Sequence, residues 1–161
     1  MYGYYAQRHK VFISFYRHHD QVYKNYIDRY LSSNIINKSV MKGEYCTDNS
    51  DKYIKCLIRE AKISDSSVVV VLVGPNTKNR KHVDWEIYAG LRPSINGNSG
   101  LIGIFLPTVH KTPNGGYYYA DVPARLADNI KSRYADSYDW DYAISHFDAI
   151  IEKAFNNRES R

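Results

Sequence analysis

The chain has 161 residues, 22 of them Lys or Arg against 17 Asp or Glu, giving a formal net charge of +5 with 43% hydrophobic and 24% charged residues. That length holds one sizeable core and not two ordinary domains, and the composition excludes a disordered or fibrous chain. The positive charge favours nucleotide or polyanionic ligands in a general way. The basic residues are spread along the chain, however, with Arg80-Lys81 near Lys78 the densest group, so a nucleic-acid patch is not indicated.

In chain order, the tyrosine-rich stretch Met1 to Ala6 precedes the first strand-like run, Val11 to Phe15. Val22, Tyr23, Tyr26, Ile27, Tyr30 and Leu31 recur at helical spacing and predict a helix from about Asp20. Ile35, Ile36, Val40 and Met41 mark a weaker second strand region. A polar stretch from Lys42 to Asp51 follows, then a helix with Ile54, Leu57, Ile58 and Ala61 on one face. Val68 to Val73 is an uninterrupted apolar run, β-branched at every position but Leu72, which suits a central strand covered on both faces. Gly74, Pro75 and Asn76 end it, and a helix starts near Lys81. Leu101 to Leu106 predicts another buried strand between the loops Pro93 to Gly100 and Pro107 to Gly116. Trp140, Ala143, Ile144, Phe147, Ile150, Ile151, Ala154 and Phe155 predict one long closing helix.

This alternation of strands and helices is the signature of a doubly wound α/β domain. We expect about five parallel strands in order 2-1-3-4-5 with helices on both faces. Cys46 and Cys56 lack zinc-type or CxxC spacing and are expected to be free thiols. Val68 to Val73 is far too short to span a bilayer, and no charged segment leads into an apolar stretch at the N-terminus. A soluble, cytoplasmic protein without a membrane partner is therefore expected.

In such a sheet the ligand crevice opens beyond the carboxyl ends of strands one and three, which directs attention to Ser14 to Asp20 and to Gly74 to Glu86. Helical spacing puts Glu86 beside Val83, Ile87 and Gly90, where a carboxylate is costly unless something binds it. It reads equally as a functional group or as a structural partner of Arg80 or Lys81. Ser14 at the strand end could meet a ligand or bond a nearby backbone group. Phe12, Phe15 and Trp85 could stack on a planar ring, although aromatics there are more often core. His18 and His19 lack a metal-type partner and read as surface or loop residues. No GxGxxG, P-loop, GxSxG or HExxH motif is present.

Lys10-Val11-Phe12-Ile13-Ser14-Phe15 resembles the first box of bacterial TIR-like domains. Val70-Val71-Leu72-Val73-Gly74, with Thr77 and Val83-Asp84-Trp85-Glu86-Ile87, resembles the segment that carries their catalytic glutamate. Pro123-Ala124-Arg125-Leu126, Asp128-Asn129-Ile130, Tyr134-Ala135 and Asp139-Trp140 resemble the later part of the TIR-like family of Thoeris anti-phage systems. The resemblance implies a tail over residues 1–9 and one TIR-like domain over 10–158. It also implies an enzyme that cleaves the nicotinamide–ribose bond of NAD+ with Glu86. The product would be an ADP-ribose-derived signal read by a separate effector protein, with a cyclic isomer, a conjugate and simple ADP-ribose all open. Phe12, Ser14, Phe15, Thr77 and Trp85 would line the substrate site, with Asp48 a looser candidate. NAD+ is then a substrate, no metal or further cofactor is expected, and self-association stays open. The rival reading is a non-catalytic TIR-like interaction module in which Glu86 is structural. A phosphorylated receiver-like domain is disfavoured, since Ser14-Phe15-Tyr16 offers no acidic cluster after strand one.

Overall fold

A computed structural model describes residues 8–38, 61–92 and 97–158. Asp48, both cysteines, Val40, Met41 and the expected helix around Ile54, Leu57 and Ile58 lie outside the described residues. The elements in order are β1 (His9–Ser14), α1 (Arg17–Tyr30), β2 (Ile35–Asn37), β3 (Val68–Val73), α2 (Lys81–Leu91), β4 (Gly100–Phe105), α3 (Ala124–Lys131), β5 (Asp136–Asp139), α4 (Trp140–Ser145) and α5 (Phe147–Asn157). The five strands form one parallel sheet in the order β2-β1-β3-β4-β5, as the alternation of elements predicts.

All six residues of β3 are buried, which fits a strand paired on both edges and covered on both faces. Alternate residues divide the core in two. Val69, Val71 and Val73 face Val83 and Ile87 of α2 and Leu126 of α3. Val68, Val70 and Leu72 face Ile27 of α1, Trp140 and Ala143 of α4, and Ile150 of α5. Gly90 lets α2 press onto the sheet, since a Cβ there would lie 2.6 Å from Val69 Cγ2.

Several boundaries differ from the expected ones. β1 begins at His9, at the end of the expected tail, because His9 pairs with Ile35 and its ring stacks on Phe155. The first helix begins at Arg17 and not near Asp20, since the Tyr16 carbonyl already accepts the N–H groups of His19 and Asp20. Its buried residues are Asp20, Lys24 and Ile27, while Val22 is 65% and Tyr30 60% exposed. The expected closing helix is two. His146 ends α4 by donating its backbone N–H to the carbonyls of Tyr142 and Ala143 and its ring Nδ1–H to Tyr142, with φ −128°. β5 and α3 have no counterpart among the apolar runs. β5, Asp-Ser-Tyr-Asp, is an edge strand whose residues alternate half-buried and exposed.

Candidate functional site

The topological switch point, where a ligand crevice is expected, lies where β1 and β3 diverge into their helices. Ser14 pairs with Val71 and, two residues beyond Phe12, shares its face of the sheet, the face covered by α2. Its side chain is fully buried, and its Oγ has no hydrogen-bond partner among the described residues. Phe12 is sealed in the core under α2, with Trp85 packed half-buried against the same cluster. Phe15 goes the other way, into the core under α1 and α4. Strand alternation thus separates Phe15 from Phe12, Ser14 and Trp85.

Glu86 is 3% exposed and sits on the inward stripe of α2 with Val83, Ile87 and Gly90. The contact of Gly90 with Val69 sets its height. One turn back along α2 advances about 6 Å, and two residues up β3 advance about 7 Å in the same direction. Glu86 is therefore level with Val71 and, across the ladder, with Ser14.

Thr77 anchors the turn between β3 and α2. It is fully buried, its Oγ1 accepts the Gly74 N–H at 2.8 Å, and its one proton has two acceptors within reach, Asp20 Oδ2 and Leu72 O, each 3.5 Å away. Asp20 completes this cluster and was not among the expected site residues. Its side chain is 2% exposed, and burial raises its pKa against the opposing influence of His19 and the Thr77 hydroxyl. An acidic residue in a first helical turn ordinarily reads as a partner of the helix dipole. The signal that marks it as buried is its spacing to Lys24 and Ile27, i, i+4 and i+7 along one side of α1. At the outer rim, His19 meets Asn76, Arg80 lies over the Tyr16 ring, and His82 donates to the Phe15 carbonyl.

A cavity of about 170 Å³ lies toward the carboxyl ends of β4 and β5, between Phe105, Tyr117, Ala127 and Ile130. Tyr117 stacks on Phe105 with ring centres 3.8 Å apart and donates its hydroxyl to Asp139. Burial and then the Asp139 carboxylate raise the Tyr117 pKa. None of the expected site residues lines this cavity. Among the described residues no group of three or more His, Cys, Asp or Glu side chains is gathered to hold a metal ion, and no helix is long and apolar enough to cross a membrane.

No curated protein sequence matches the chain. The family described as Thoeris protein ThsB, TIR-like domain, matches residues 12–111. The matched span opens on Phe12 and encloses Ser14, Phe15, Asp20, Thr77, Trp85 and Glu86, and it ends before α3 and β5. The match covers more than half of the chain, which therefore belongs to the TIR-like domain family of the Thoeris protein ThsB.

Proposed function

We propose that this TIR-like domain is an NAD+-processing enzyme in which Glu86 assists cleavage of the nicotinamide–ribose bond. The product is an ADP-ribose-derived signal for a separate effector protein. Membership of the Thoeris family supports a role in defence. The enzymatic reading rests on the placement of Glu86, a carboxylate in the buried stripe of α2, level with a Ser14 hydroxyl that finds no partner among the described residues.

The chemistry suits one carboxylate. Glycosidases ordinarily need a second group to protonate the leaving oxygen. Nicotinamide starts as a cationic pyridinium and takes the bonding pair, so it departs neutral without a proton. Positive charge grows on the ribose C1′, where a fixed carboxylate stabilises it. Water or another nucleophile then bonds to C1′ and gives up its proton. Ser14 would bond a ribose hydroxyl and Trp85 would stack on a ring. Phe12 and Phe15, both in the core, support the walls from behind, and Thr77 holds the turn.

Glu86→Gln nearly preserves volume and removes the charge, so turnover should fall about 10²- to 10³-fold while the melting curve stays with the parent. The measurement is mass spectrometry of products from purified protein incubated with NAD+, with and without phage-infected lysate. Undiminished turnover in a normally folded Glu86→Gln protein would replace this reading with the interaction module.

A further inference from the structure

We propose that Asp20 is a positioning residue for the crevice: its buried carboxyl braces the turn between β3 and α2 and so sets where α2 presents Trp85 and Glu86. The inference rests on the catalytic reading of Glu86. Four contacts tie the β1–α1 junction to this turn. Three lie at the rim: His19 with Asn76 at 2.8 Å, Arg80 over Tyr16 at 3.9 Å, and His82 to the Phe15 carbonyl at 3.1 Å. Exposed and half-buried contacts of this kind hold a backbone only loosely.

The fourth is sealed from water. Asp20 and Thr77 are 2% and 0% exposed, and Thr77 is in turn bonded to the Gly74 N–H. The carboxyl also fills the space that a side chain at position 74 would need, since a Cβ there would lie 2.5 Å from Oδ2, 2.7 Å from Oδ1 and 2.9 Å from Cγ. Gly74 and Asp20 are therefore a matched pair. At its other end α2 is held by Gly90 against Val69. Trp85 and Glu86 lie between the two holding points, so releasing the first lets α2 pivot about the second.

The test is a double-mutant cycle of Asp20→Ala and Gly74→Ala, with NAD+ turnover, thermal melting and Trp85 emission in a Trp140→Phe background. Asp20→Ala should lower kcat about 10- to 100-fold, as expected for a small misplacement of a catalytic group, with KM changed less than about threefold. Gly74→Ala should lower both kcat and the melting temperature. The double variant should recover part of each, because the alanine methyl occupies the space the carboxyl has left. Asp20→Asn, which fills the same volume and can still accept from Thr77, should keep most of the activity. Parent-like turnover in Asp20→Ala, or strictly additive melting in the cycle, overturns the proposal. So does an inactive but folded Asp20→Asn, which would make the charge itself catalytic. If the parent cleaves no NAD+, the Glu86 reading fails separately. The brace is then decided by melting and by whether Trp85 emission shifts in Asp20→Ala and returns in the double variant.

Discussion

Two regions at the carboxyl edge of the sheet are made of opposite materials. Between β4 and β5 the walls are aromatic: Tyr117 bonds Asp139, and close by Tyr138 stacks on Tyr142 and Tyr142 on His146. Between β1 and β3 the polar groups Ser14, Asp20, Thr77 and Glu86 are all buried, and the Ser14 hydroxyl has no partner among the described residues. Burying polar groups opposes folding unless hydrogen bonds or a ligand compensate. Thr77 and Asp20 meet one another and Thr77 accepts the Gly74 N–H, which leaves the Ser14 hydroxyl as the buried group whose cost the described fold does not offset. The cost of desolvation, more than the size of a cavity, separates a site from a gap between side chains.

The largest effect that can sharpen this contrast comes from the aromatic end. Phe105 is 4% exposed and carries the Tyr117 ring, so Phe105→Ala should cost about 3–5 kcal/mol in urea denaturation. Turnover per folded molecule should stay at the parent level. A drop in turnover at full folding would place the β4–β5 opening in the catalytic machinery and erase the distinction.

A smaller effect concerns Asp20 and has a defined sign. Burial raises its pKa above the ordinary 3.8, so the folded chain holds the proton more tightly than the unfolded one. Its contribution to stability is fully present below pH 3.8 and is lost as pH rises through the folded value. Asp20→Asn does not titrate. Its melting temperature relative to the parent should therefore be lowest below pH 3.8, rise as pH passes through the folded value and level off above it. A relative stability independent of pH would show that the Asp20 carboxyl pays no desolvation penalty.

How much of this was legible in the sequence depended on whether a residue's partner was near in the chain. The strand order and the inward position of Glu86 followed from periodicity, because Val68 to Val73 and the spacing of Val83, Glu86, Ile87 and Gly90 are local patterns. Asp20 shares a side of α1 with Ile27, but the groups that receive its carboxyl, Gly74 and Thr77, lie more than fifty residues away. Phe15 was grouped with Ser14 by adjacency, whereas strand alternation sends the two to opposite faces. β5 carries two aspartates and no apolar run, and only its pairing with β4 makes it a strand. The break at His146 depends on a side chain bonding a carbonyl four residues back, which helical periodicity cannot register.

The smallest expected effect on the fold is also the most direct probe of the buried hydroxyl. In Ser14→Ala the lost oxygen had no hydrogen bond to forfeit among the described residues, so the folded state sheds a desolvation cost and loses only a few dispersion contacts. Stability should stay within about 0.5 kcal/mol of the parent or rise slightly. Substrate binding should respond the other way. If the hydroxyl bonds the ribose, KM for NAD+ should rise about 2- to 10-fold, the worth of one neutral hydrogen bond, with a smaller change in kcat. A loss of more than about 1 kcal/mol in stability would mean that Ser14 already bonds something within the fold. The β1–β3 crevice would then be as self-sufficient as the aromatic one, and the reason for placing a substrate there would rest on Glu86 alone.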